Sequence, residues 1–173
     1  MSDSVWLFAY GSLIYKVDFP YLECRPAQVR HWVRRFWHGS HDHRGTPDNP
    51  GRVATLYPMQ GGYCAGLAYR VTAQTLDTID VREKNGYQRQ SIALELTDGS
   101  QITAIAYVAD RHHSAFLGPA CLDVIADQIA RCKGESGTNQ DYLQQLALSL
   151  ERLSINDMHV RSLLRRLAMI DIG

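Results

Sequence analysis

Two short stretches of this chain carry residue types that can do chemistry at a defined place. The first is Phe8-Ala9-Tyr10-Gly11-Ser12-Leu13, where the apolar run Val5 to Phe8 breaks at a glycine followed by a hydroxyl residue. Glycine at a strand end permits a sharp turn and close approach by a ligand. Successive backbone N–H groups in such a turn form a small concavity suited to an anion. The second is Asp80-Val81-Arg82-Glu83-Lys84-Asn85-Gly86-Tyr87, in which Glu83 stands between two basic residues. A carboxylate of ordinary pKa, about 4.3, is a poor base for an ammonium group. Burial against an aromatic side chain such as Tyr10 or Tyr87 would raise it toward about 6 to 7, where general acid–base catalysis works well. Read more simply, the same residues are a solvated charge run.

Other chemistries fit less well. The segment from Arg34 to Pro47 is dense in polar side chains, with His41 and His43 two positions apart. On a strand these would share a face and could chelate a metal, but no third ligand follows at a recognisable spacing, so no metal is expected. The plainer reading is a loop whose turn Asp42 and Arg44 hold by hydrogen bonds. His112 and His113 follow a strand end and read as exposed. Ser12 is not in a Gly-x-Ser-x-Gly elbow, and Cys64 lies inside a strand-like run, so a covalent nucleophile is not expected. Phosphate-loop and dinucleotide fingerprints are absent.

The elements that must position these residues follow from periodicity. Up to about residue 110 the chain reads as strands: Val53 to Tyr57, Tyr63 to Val71, Gln90 to Leu96 and Ile102 to Ala109. Thr97-Asp98-Gly99-Ser100 is a hairpin signal, and Ala73 to Val81 reads as a short helix. From Pro119 the period turns helical. Leu122, Ile125, Ile129 and Cys132 lie on one face, with Pro119 in the first turn and Gly134 as the stop. A second helix follows the Thr138/Asp141 capping signal, burying Leu143, Leu146, Leu150 and Leu153. A third spans about 157–170, with Val160, Leu163, Leu164 and Leu167 inward. Strands first and helices after predict an α+β fold, a small closed or nearly closed β-barrel with packed helices. The polar loop from Gly39 to Gly51 is long enough to suggest a functional role.

Composition bounds the partners. The 173 residues suit a single domain (1–173). Eighteen basic and eighteen acidic residues balance, which argues against a nucleic-acid or anionic-membrane surface. No apolar run approaches the roughly 20 residues that span a bilayer. The start, Met1-Ser2-Asp3-Ser4, lacks a basic leader region. The four cysteines form no C-x-x-C pair. A cytoplasmic protein with reduced thiols is therefore expected.

Taken in order, the quoted stretches together with Asp18-Phe19-Pro20, Arg34-Arg35-Phe36-Trp37, Gly39-Ser40, Asp42 to Pro47, Pro50 to Val53, Gly66 to Arg70, Leu117 to Ala120 and Ser136 to Asn139 resemble one family, from about Val5 to His159. The chain is similar to ChaC-type glutathione-specific γ-glutamylcyclotransferases. The resemblance implies a small β-barrel with surrounding helices. It also implies a lyase reaction in which glutathione, a small-molecule substrate, yields 5-oxoproline and Cys-Gly without metal or organic cofactor. By position, Phe8, Ala9, Tyr10, Gly11, Ser12 and Leu13 would cradle the γ-glutamyl group, with Tyr87 nearby, and Glu83 would be the catalytic base. Arg44 and Tyr142 are the candidates for gripping the Cys-Gly half. Two departures stand out: Ala9 replaces a frequent glycine, and Val71 to Leu76 is short and free of acid where relatives are often glutamate-rich. Alternatives are a cyclotransferase for other γ-glutamyl amines or amino acids, a non-catalytic γ-glutamyl-binding module, and a purely structural domain.

Overall fold

The computed structural model describes residues 3–172, so Met1, Ser2 and Gly173 lie outside it. Strand β1 (Ser4–Ala9) leads into a single 3-10 turn at Ser12–Ile14. Then come β2 (Glu23–Ser40), β3 (Gly51–Thr72), α1 (Ala73–Arg82), β4 (Tyr87–Leu96) and β5 (Gln101–Ala109). The remainder is α2 (Leu122–Arg131), the two-residue strands β6 (Lys133–Gly134) and β7 (Gly137–Thr138), α3 (Asn139–Arg152) and α4 (Met158–Ile172). The first five strands close a barrel in the order β1-β3-β2-β4-β5. Closure comes from parallel pairing of β1 with β5 at Leu7 and Ile105, while β1–β3, β2–β4 and β4–β5 are antiparallel. The expected α+β barrel is what forms.

The chain divides into two compact units, one built from the segments up to Arg34 and Leu56–Asp110, the other from Arg35–Thr55 and Arg111 onward. In the first unit, period-two burial fills the interior: Ile92, Leu94 and Leu96 on β4 and Ala104, Ala106 and Val108 on β5 are buried at alternate positions, with Ile92 opposite Ala104 in the antiparallel ladder. Leu7, Phe8, Ala68 and Val71 complete that core. In the second unit, Ile125, Ala126 and Ile129 of α2, Leu143, Leu146 and Leu150 of α3, and Val160, Leu163 and Leu167 of α4 are buried at helical spacing. Leu153 and Leu164, also expected inward, are half-buried.

Three details differ from the sequence expectation. The long strand β2 is not evident from its sequence, because Pro26 and the basic residues Arg25, Arg30, Arg34 and Arg35 mask its alternation. A break within it at His31, φ 67°, faces Gly61, φ 80°, whose N–H donates to His31 Nδ1 at 3.1 Å. Second, the two expected strands in β3 are one element running through Pro58 to Gly62. Third, α2 starts at Leu122 after Cys121 and ends before Cys132, so Pro119 and Gly134 lie outside it. Gly134 serves close packing instead, since a Cβ there would sit 2.3 Å from the Asp42 carbonyl oxygen. The Thr138 cap is as expected, its side chain accepting the Asp141 N–H at 3.1 Å.

Candidate active site

The Tyr10 turn is built where β1 and β3 stop pairing. Ala9 opposite Leu67 is the last rung of that ladder. Gly11 leaves the strand at φ −130° and ψ −129°. The Ile14 N–H then reaches the Gly11 carbonyl at 3.0 Å, and the Tyr15 N–H reaches Ser12 at 3.1 Å. The turn thus uses the carbonyls of Gly11 and Ser12, while the N–H groups of Gly11, Ser12 and Leu13 precede its first hydrogen bond. Phe8, Ala9 and Leu13 are buried in the core, so their side chains brace the turn from within. Tyr10 is buried too, and its phenol donates to the Tyr107 carbonyl. Ser12 is half-exposed.

Glu83 sits at the C-terminal cap of α1, its N–H bonded to the Ile79 carbonyl at 3.1 Å. The chain then reverses through Lys84 to Gly86, the Gly86 N–H meeting Lys84 oxygen at 2.8 Å. Gly86 has φ 84°, a conformation that favours glycine. Its carbonyl accepts the Asp110 N–H at 2.8 Å, and Tyr87 opens β4 opposite Ala109. Glu83 is therefore held from both sides by backbone.

Burial pushes the Glu83 carboxyl above its ordinary value, and the Arg82 charge beside it works in the opposite direction. The negative end of the α1 macrodipole also disfavours an anion at this cap, reinforcing the effect of burial. Arg82 is itself ion-paired with Asp18. The charge run is therefore not uniformly solvated: Arg82 and Lys84 are exposed, and Glu83 between them is turned partly inward.

Tyr107 on β5 ties the two stretches together. Its carbonyl receives the Tyr10 phenol, and its own hydroxyl donates to Asp80 Oδ1 at 2.6 Å, one turn of α1 before Glu83. Arg89 on β4 holds the same carboxylate through its Nε at 2.7 Å, keeping Asp80 well ionised. We predict that Tyr107→Phe lowers the unfolding free energy by about 1.5 to 3 kcal/mol, the range for losing one hydrogen bond to a charged group. An unchanged urea midpoint would remove this link.

Arg44 and Tyr142 belong to the second unit. The Arg44 guanidinium lies 5.7 Å from the Tyr142 ring centroid, and its Nη1 donates to the Thr138 carbonyl at 3.1 Å. Arg44 is buried, and among the described residues its guanidinium has no carboxylate partner. The Tyr142 hydroxyl accepts the Ala54 N–H at 3.1 Å. His43 hydrogen-bonds Ser136 Oγ through Nδ1 at 2.8 Å, and among the described residues no group of three or more His, Cys, Asp or Glu side chains is arranged for a metal.

A cavity of about 420 Å³ opens beside α1, lined among others by Asp18, Phe19, Tyr21, Thr75, Ile79 and Arg82. Among the described residues, neither Glu83 nor the Tyr10 turn lines it. Sequence reasoning missed Arg34, Tyr107 and Asp80 as supports. For Arg34 a signal existed: counting back by twos through the buried positions Ser40, His38 and Phe36 arrives at Arg34.

A closed barrel with a glycine turn after its first strand, and a half-buried carboxyl at the end of its first helix, defines the class against which the chain is compared. Residues 5–169 match the family model of ChaC-like protein. The chain is 39% identical over 172 residues to gamma-glutamylcyclotransferase 2-3 of Arabidopsis thaliana, covering 92% of this chain and 86% of that one. It is 41% identical over 153 residues to glutathione-specific gamma-glutamylcyclotransferase 1 of Rattus norvegicus, covering 84% and 69%. The crystal structure of a γ-glutamyl cyclotransferase specific to glutathione from yeast superposes with a TM-score of 0.90 at 29% identity, covering 98% of this chain and 97% of that one. The chain belongs to the ChaC-like family.

Proposed function

We propose that this protein degrades glutathione by cyclising its γ-glutamyl group, releasing 5-oxoproline and Cys-Gly. The observation that carries this reading is Glu83, a carboxyl raised by burial at a rigid helix end, in a family whose members include glutathione-specific cyclotransferases. The substrate brings its own nucleophile. Its α-ammonium loses a proton to Glu83, and the free amine attacks the γ-carbonyl carbon. A five-membered ring closes while the carbonyl oxygen takes up negative charge. Glu83 then returns the proton to the cysteine nitrogen, the C–N bond breaks, and the oxyanion collapses to the ring carbonyl. The ring nitrogen still carries a second proton after closure; it passes to the freed Glu83 carboxylate and from there to the released amine, which leaves as an ammonium, so the step balances with no water consumed.

The protein has three tasks in this scheme. It folds the γ-glutamyl chain so that amine and carbonyl meet; well-oriented intramolecular reactions gain up to about 7 to 11 kcal/mol from positioning, and here part of that is already present in the substrate. It moves one proton, typically worth about 10² to 10⁴ in rate. It stabilises charge, for which backbone N–H groups at Gly11, Ser12 and Leu13 are the assigned donors, toward the oxyanion or the α-carboxylate. Phe8, Ala9, Leu13 and Tyr10 support that turn from the core, and Tyr87 is assigned a place beside the γ-glutamyl group. The buried Arg44 over Tyr142 has the chemistry of a carboxylate receptor, and the glycine carboxylate of the released half is assigned to it. The activity is assigned to the cytoplasm, where glutathione is abundant.

The test is a substrate panel. Purified protein is incubated with glutathione, γ-glutamyl amino acids and γ-glutamyl amines, and 5-oxoproline is quantified beside the released amine. Equimolar 5-oxoproline and Cys-Gly from glutathione, with the other compounds turned over far more slowly, is the expected result. Faster turnover of the γ-glutamyl amino acids would move the substrate assignment. Binding without product would replace the enzyme by a sensor.

A further inference from the structure

Arg34 is only 1% exposed, a costly place for a charged side chain that a well-packed hydrophobic residue could fill. It projects from β2 to where β1 and β3 part after the Ala9–Leu67 rung. There its Nε donates to the Tyr10 carbonyl at 2.7 Å and its Nη2 to the Ala65 carbonyl at 2.5 Å. The guanidinium fork thus bridges the two diverging backbones.

The Tyr10 carbonyl shares its peptide plane with the Gly11 N–H. A trans peptide directs its C=O and N–H to opposite sides, so fixing one fixes the other. Arg34 therefore holds the Gly11 N–H pointing away from itself. This matters because glycine tolerates many backbone conformations, which makes a flip of the Tyr10–Gly11 plane cheap. The Tyr10 phenol is tied to Tyr107, a bond that fixes the side chain and does not itself set the peptide plane. A charged donor on the carbonyl also polarises the peptide and strengthens its N–H as a donor.

We propose that Arg34 is a positioning residue for the cyclisation: it clamps the Tyr10–Gly11 peptide so that the Gly11 N–H is presented, preset and polarised, to the substrate. This rests on the reading that the Tyr10–Leu13 turn receives the γ-glutamyl group.

The test uses the full chain labelled with ¹⁵N-glycine, as wild type, Arg34→Lys and Arg34→Met. Lysine keeps the charge and fills the space but lacks the fork that spans two carbonyls, so Arg34→Lys carries the test if Arg34→Met does not fold. Without substrate, the Gly11 amide resonance is expected to shift and its hydrogen exchange to quicken, while exposed Gly99 stays unchanged. With glutathione, kcat/KM is expected to fall about tenfold to a hundredfold, the scale of a misplaced reacting geometry. The acid limb of the pH profile, which belongs to Glu83, should not move. A Gly11 amide unmoved in folded Arg34→Lys overturns the clamp. A moved amide with wild-type kcat/KM overturns its role in the reaction. Failure of the wild type to process any γ-glutamyl compound strikes the functional reading instead, and the amide measurement still decides the clamp.

Discussion

Glu83→Gln is expected to fold, to bind glutathione nearly as well as wild type, and to lose turnover by about 10² to 10⁴, the contribution of a positioned acid–base group. Glutamine keeps the shape and the hydrogen-bonding reach of the side chain but cannot accept the ammonium proton. The measurement is 5-oxoproline release beside calorimetric binding. Turnover close to wild type would mean that another group moves the proton. The same variant carries a second signature through stability. A carboxyl whose folded pKa is raised binds more protons in the folded state than in the unfolded one. The cost of ionising it is absent below the unfolded pKa of about 4.3, grows as the pH rises through the interval, and is fully present above the folded value. Glu83→Gln should therefore be more stable than wild type at neutral pH, with the difference closing as the pH falls. A residue that weakens the fold while serving the reaction is the expected pattern for an active-site acid.

Gly66→Ala is expected to be the most damaging conservative change in the first unit. A Cβ at this buried position would lie 2.2 Å from the Ala9 carbonyl oxygen and 3.3 Å from the Phe8 ring. The nearer atom is backbone in the β1–β3 ladder and cannot rotate aside. The strands must separate at the rung just before the Tyr10 turn. Overpacking of this kind reaches about 3 kcal/mol, which for a chain of this length corresponds to a Tm lower by roughly 6 to 12 °C. Activity should fall further than stability requires, because the displaced strand carries the turn. A Tm within a degree or two of wild type would show that β1 can yield.

The architecture was legible where burial follows a simple period. Ile92, Leu94 and Leu96 alternate, and Ile125 with Ile129 recurs at helical spacing, so β4 and α2 announce themselves. The Thr138 cap is a local signal and was readable for the same reason. The long β2 was not, because its inward set changes parity between Val33 and Arg34, with His31 at positive φ just before the change. A buried arginine among exposed ones looks like surface until the fold places two carbonyls against it.

The site was half legible in the same sense. The glycine turn and Glu83 are visible as motifs, and Gly86 marks the reversal that follows the acid. What sequence could not supply is the shielding of Glu83, because that depends on how the end of α1 meets the barrel. Its flanking residues, Arg82 and Lys84, point to solvent and suggest the opposite. The link from Tyr10 through Tyr107 to Asp80 crosses three elements and leaves no spacing to read.

The raised carboxyl of Glu83 is the centre of this account, and it can be followed directly. Protein labelled with ¹³C at glutamate carboxyl carbons, with Glu83 assigned through Glu83→Gln, gives the titration of that one group by NMR, to be laid over the pH dependence of kcat/KM for glutathione. The account predicts that Glu83 titrates above the ordinary carboxylate range and that the acid limb of the rate profile has the same midpoint. A Glu83 resonance titrating near 4.3, the value of a free side chain, with the rate falling at some other pH, would contradict it.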